Sequence, residues 1–126
     1  MNDFIGIQDC VQDYLDGLYH CDTHKLAQVF HPQAHYVGAP DGELLVRSIQ
    51  EYLPIVAARE PGSQRGEQRH EAIEAIEFAG EDTALVRLHC RIGPRFFIDL
   101  LSIIRCDGHW RIICKLFHTE IKTEVN

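Results

Sequence analysis

Apolar side chains recur at helical spacing near the start of the chain. Phe4, Ile7, Val11, Leu15 and Leu18 are three or four residues apart, which predicts an amphipathic helix over 2–20. Tyr14 lies one position off that stripe, and Gly17 marks a place where another backbone approaches. Asp22 or Thr23 caps a short second helix carrying Leu26, Val29 and Phe30, which His31-Pro32 ends. A short strand at 34–38, a turn at Pro40-Asp41-Gly42 and a second strand at 44–46 follow. Ser48-Ile49-Gln50-Glu51 is a capping box opening a third helix, with Pro54 expected to kink or restart it. Residues 59–66, with two glycines and a proline, read as a loop.

Beyond that loop the period changes to two. Strands are predicted at 68–79, 84–92, 95–105 and 109–121, joined by turns at Gly80-Glu81-Asp82, Gly93-Pro94 and Asp107-Gly108. Helical patterns first and strands last argue an α+β domain spanning 1–126, its helices packed on one antiparallel sheet. The strand at 95–105 is apolar on both faces, with Phe97, Leu101 and Ile103 on one and Phe96, Ile98, Leu100 and Ile104 on the other. One face covers the helices; the other predicts a second copy of the chain, a homodimer through the sheet.

Composition narrows the function classes. The 126 residues carry 12 Lys+Arg against 19 Asp+Glu, a formal charge of −7, and no basic stripe, which argues against nucleic acid. No apolar run approaches the ~20 residues of a membrane span. Met1-Asn2-Asp3-Phe4 has no basic region ahead of an apolar stretch, so no signal peptide is expected and the cytoplasm is the expected compartment. Five cysteines without a close pair read as reduced, buried thiols. His20/His24 and His31/His35 are four apart, but capping residues and Pro32 interrupt each pair, so neither makes a metal site. Neither metal nor cofactor is expected.

Asp99 is the most informative position, a carboxylate flanked by Ile98 and Leu100 and facing Leu88 if Gly93-Pro94 is a two-residue loop. Buried there, it needs a partner or a raised pKa, as a general base or a ligand anchor does. A two-residue turn at Asp107-Gly108 puts it opposite Leu116 and on one face with His118. A three-residue loop with a Gly bulge puts it opposite Lys115. Both registers remain open. His31 either points into a pocket mouth or caps helix-end carbonyls, and Tyr14 and Tyr36 suit a pocket wall or a core.

Three segments carry a family resemblance: Tyr14-Leu15-Asp16-Gly17-Leu18-Tyr19 with Asp22; His31-Pro32-Gln33-Ala34; and Phe97-Ile98-Asp99-Leu100-Leu101 followed by Asp107-Gly108-His109-Trp110-Arg111-Ile112 and Lys115. In that order they resemble the nuclear transport factor 2-like (SnoaL-like) superfamily and, within it, the putative lumazine-binding family. The resemblance implies a cone-shaped fold, three N-terminal helices on a curved, mostly antiparallel sheet enclosing a pocket. The superfamily holds isomerases, dehydratases, hydrolases, carriers and silent binding modules, so fold leaves function open. Three expectations follow. The first is a small-molecule-binding protein with an enclosed apolar pocket walled by Tyr14, Leu18, Tyr36 and Phe97, anchored by Asp99 with Lys115 or His118. The second is an isomerase- or dehydratase-type enzyme with Asp99 as base and His31 or His118 as acid. The third is a dimeric assembly module with a vestigial pocket.

Overall fold

A computed structural model describes residues 2–121. Helix α1 runs Phe4–His20, opened by the Asp3 carboxylate, which accepts from the Gly6 N–H. Ile7, Val11, Leu15 and Leu18 are buried as their spacing predicts, and Tyr14, one position off the stripe, is 0% exposed at the centre of the core. Helix α2 (Thr23–Val29) starts on the Asp22 side chain and packs close to Gly17, where a Cβ would lie 2.7 Å from a Leu26 methyl. The chain is already extended at Phe30, so β1 (Phe30–Gly38) includes Pro32 and is longer than predicted. Strand β2 (Leu45–Ser48) follows, then α3 (Ile49–Ala57), whose Ser48/Glu51 capping box forms. The helix passes through Pro54 as one element instead of restarting. The third helix therefore lies between β2 and β3, not in an N-terminal block of three, because β1 and β2 interrupt the helices.

Strands β3 (Glu71–Phe78), β4 (Thr83–Ile92), β5 (Arg95–Cys106) and β6 (His109–Ile121) form an antiparallel meander. The sheet order is β2-β1-β6-β5-β4-β3, with β1 and β6 its single parallel pair. The inner face carries Val86, Leu88, Leu101, Ile103 and Ile112 against the helices, all at most 2% exposed. The outer face is half-buried to exposed, with Leu85 at 40% and Leu116 at 44%. No helix among the described residues is long and apolar enough to cross a membrane.

One irregularity decides which side chains meet. The Asp107-Gly108 turn is the two-residue hairpin, pairing Cys106 with His109, but the register slips between Ser102 and Ile103. Ile103 pairs with Ile112 and Ser102 with Cys114, so Ile113 is an extra residue in β6. Because side chains alternate with period two, one inserted residue sends everything beyond it to the opposite face.

Candidate ligand-binding site

Downstream of that bulge Asp99 lies opposite Phe117 on β6 and Leu88 on β4. Neither register read from the sequence holds: Lys115 reaches the Asp99 face, one diagonal step away and opposite Leu101, while His118 is turned to the outer face. There His118 is exposed and pairs with Glu120 at 3.1 Å. His31 is also away from Asp99, since its Nδ1 accepts from the Gln33 N–H on an exposed stretch of β1. The acid partners proposed for Asp99 are therefore not brought to it.

The structure gathers tyrosines there instead. Asp99 is 0% exposed, and its Oδ2 accepts from the Tyr14 hydroxyl at 2.6 Å, while Oδ1 has no hydrogen-bond partner. Lys115, 4% exposed, donates to the Tyr52 hydroxyl at 3.2 Å, and its Nζ lies 5.2 Å from the ring centroids of Tyr14, Tyr36 and Tyr52. Three aromatic faces around one ammonium form a cation cage. Burial works to lower the Lys115 pKa, but the oxygens of Tyr52, Asp99 and Tyr36 outweigh it and raise it above the ordinary lysine range. Burial, then the Asp99 charge, pushes the Tyr14 hydroxyl well above its usual value. The cluster is thus an acidic and a basic side chain held in the core by tyrosine hydroxyls.

Above it opens a cleft of about 790 Å³. Leu18, Tyr36, Phe97 and Phe117 line its inner end. Tyr36 stacks on Tyr52 at 4.4 Å and on Phe117 at 4.5 Å, closing the floor over the charged cluster. Gly38 makes this possible, since a Cβ there would lie 2.4 Å from the Phe117 ring. Of the residues expected to wall the pocket, Leu18, Tyr36 and Phe97 do line the cleft, whereas Tyr14 and the expected anchor Lys115 lie beneath its floor. The cleft opens to solvent between the end of α3, the Gly93-Pro94 turn and the β1–β2 connection, so it is not the enclosed chamber expected. Arg47, Arg59, Arg65 and Arg95 line its mouth.

Sequence reasoning missed Tyr52 and the arginine rim. Tyr52 shares helical spacing with Ile49 and Val56, a signal that marked it as inward-facing but not as a partner for Lys115. The arginines come from three separate elements, which only the fold brings together. Among the described residues no group of three or more His, Cys, Asp or Glu side chains could hold a metal ion.

The sequence profile of a family described as Putative lumazine-binding matches residues 2–118. The chain belongs to this family. An NTF2-like protein of Shewanella baltica has the same fold, with a TM-score of 0.83 at 21% identity over 95% of this chain and 98% of that one. A ketosteroid isomerase-like protein of Erwinia carotovora atroseptica superposes with a TM-score of 0.71 at 14% identity, covering 91% of this chain and 94% of that one. In sequence the chain is similar to aldolase FrzH of Cladobotryum sp, 24% identical over 108 residues, covering 84% of this chain and 82% of that protein. The α+β cone of this family is thus the fold of the chain.

Proposed function

We propose that this member of the lumazine-binding family is a small-molecule-binding protein whose ligand rests in the open cleft, on Tyr36, Phe97 and Phe117. The observation that carries the reading is the separation of chemistry from cavity. The inner end of the cleft is lined by aromatic and aliphatic side chains, while Asp99 and Lys115 lie under its floor, each bonded to a tyrosine hydroxyl. An enzyme using general acid–base catalysis needs two titratable groups converging on an open space, and His31 and His118 do not converge with Asp99. Filling the cleft tests the proposal. The neutral fluorescent dye N-phenyl-1-naphthylamine should bind the folded protein and lose binding in Leu45→Trp, which fills the wall at β2. Equal binding by both proteins, or none by either, would contradict it.

A second reading rests on one observation, the unpartnered Oδ1 of Asp99. A buried oxygen without a donor is where a substrate group or water would be held, and Asp99 would then act as general base in an isomerase- or dehydratase-type reaction. The aldolase relative does not extend this to an imine-forming lysine, because Lys115 is held protonated and a protonated amine is no nucleophile. The assembly role is a separate proposal that leaves the cleft its function: a second copy covers the outer face around Ile98, Leu100 and Leu116, where a shallow apolar depression lies.

A further inference from the structure

We infer that the ligand of this cleft is an organic anion, a flat apolar or aromatic body carrying a carboxylate, sulfonate or phosphate that points outward to Arg47, Arg59 and Arg95. The inference rests on the cleft being the ligand site and adds the charge of what it takes.

The charge distribution carries it. The whole chain has an excess of seven acidic charges, yet the cleft mouth gathers four arginines and one acid, Glu60. A basic cluster on an acidic protein focuses the local field on anions and leaves the rest of the surface repelling them. Register shows that two of the arginines are aimed inward. Arg47 is opposite Tyr36 on the inner face of β2, and Arg95 alternates with Phe97 and Asp99 on the inner face of β5. Arg59 follows α3, at the third side of the mouth.

The pairing state separates this rim from ordinary surface arginines. Elsewhere in the chain Arg69 is bonded to Asp16 and Glu71, Arg87 to Glu74 and Arg105 to Asp82. At the mouth Arg65 is spent on Glu67. The guanidinium groups of Arg47, Arg59 and Arg95 make no hydrogen bond or ion pair with any described residue, and Arg47 and Arg59 are half-buried at the cleft. The Thr119 hydroxyl, on the same wall, is also buried without a partner. Guanidinium forks and a free hydroxyl above an aromatic floor match the two ends of such a molecule: ring against Phe97 and Phe117, anionic oxygens against the forks.

Two dyes that share an anilinonaphthalene body and differ by one sulfonate test this: 1-anilinonaphthalene-8-sulfonate and neutral N-phenyl-1-naphthylamine. In the triple variant Arg47→Gln, Arg59→Gln, Arg95→Gln, the sulfonate dye should bind about tenfold or more weakly, with the neutral dye changed less than about twofold. Arg87→Gln on the outer face should alter neither. If the triple variant fails to fold, the Lys replacements at the same three positions and a salt titration of the wild type serve instead. The Lys protein should keep the preference, and raising NaCl should weaken the sulfonate dye alone. An unchanged sulfonate affinity, equal losses for both dyes, or salt-independent binding overturns the anionic assignment while the cleft reading stands on the neutral dye. Should neither dye bind the wild type, or should Leu45→Trp weaken neither, both fall.

Discussion

Asp99→Asn removes one charge and almost no volume, so it isolates what the buried carboxylate does. Asp99 and Lys115 are 0% and 4% exposed, and Lys115 keeps a raised pKa partly through Asp99. With asparagine in place, the ammonium retains the Tyr52 oxygen and the ring faces but has lost its anion. Although no salt bridge joins the two, leaving a buried charge without its nearest opposite charge costs up to about 3–5 kcal/mol, because that charge remains desolvated. For a domain of this size that is a fall in Tm of roughly 10–20 °C. The companion variant Asp99→Leu/Lys115→Met removes both charges and should recover most of the loss, since hydrophobic replacement of a buried pair is about neutral or stabilising. Urea unfolding of Asp99→Leu, Lys115→Met and the double then gives a coupling energy of about 2 kcal/mol or more. An Asp99→Asn protein within about 1 kcal/mol of wild type, with no recovery in the double, would refute the idea that the two charges support each other. Dye binding reports the other half: retained affinity in folded Asp99→Asn fits an anchor of the floor, whereas turnover of a substrate abolished with stability intact fits a general base.

Burial raises the Cys10 and Cys90 thiols from 9.0 to about 12, and Tyr14 and Lys115 are raised as well. All four hold protons in the folded state that the unfolded chain releases, so stability is complete below pH 9 and falls above it. Each thiol contributes a slope of about 1.4 kcal/mol per pH unit over that range, and Cys90→Ala should flatten the curve of urea midpoint against pH. Leu100→Glu or Leu116→Glu on the outer face should shift the light-scattering mass from two copies to one without a change in fold; unchanged mass would leave that face without its proposed partner. Gly38→Ala drives a methyl into the Phe117 ring and should cost about 1–3 kcal/mol, weakening dye binding as the floor deforms. His118→Ala, at an exposed pair with Glu120, should change stability by less than about 0.5 kcal/mol and leave binding as it was, as measured by melting and dye titration.

The sequence made most of the scaffold legible because each element announces itself locally. The stripe from Ile7 to Leu18, the Ser48/Glu51 box and the Asp107-Gly108 turn each fix a backbone geometry within a few residues. Asp99 could be picked out for a similar reason, a lone charge in a strand with apolar residues on both sides. Its surroundings were not legible, because they depend on a bulge at Ile113 that no glycine or proline marks. That one residue exchanges His118 for Lys115 and replaces a proton-transfer dyad with two buried groups, each bonded to a tyrosine hydroxyl. Tyr52 and the arginines were out of reach for a different reason: they arrive from α3, β2, β5 and a loop, and their meeting is a property of the assembled cone. The long first strand was hidden by Pro32, which ends α2 by local rules yet sits in β1, clear of the pairs at His35 to Gly38 that join β1 to β6.

Where a small molecule sits can be read directly from aromatic and methyl NMR shifts as 1-anilinonaphthalene-8-sulfonate is added to labelled protein. Saturable shifts confined to Leu18, Tyr36, Phe97 and Phe117, with Leu100 and Leu116 on the far side of the sheet unmoved, are the predicted result. Shifts clustered on Leu100 and Leu116, or none at any of these residues, would contradict the account.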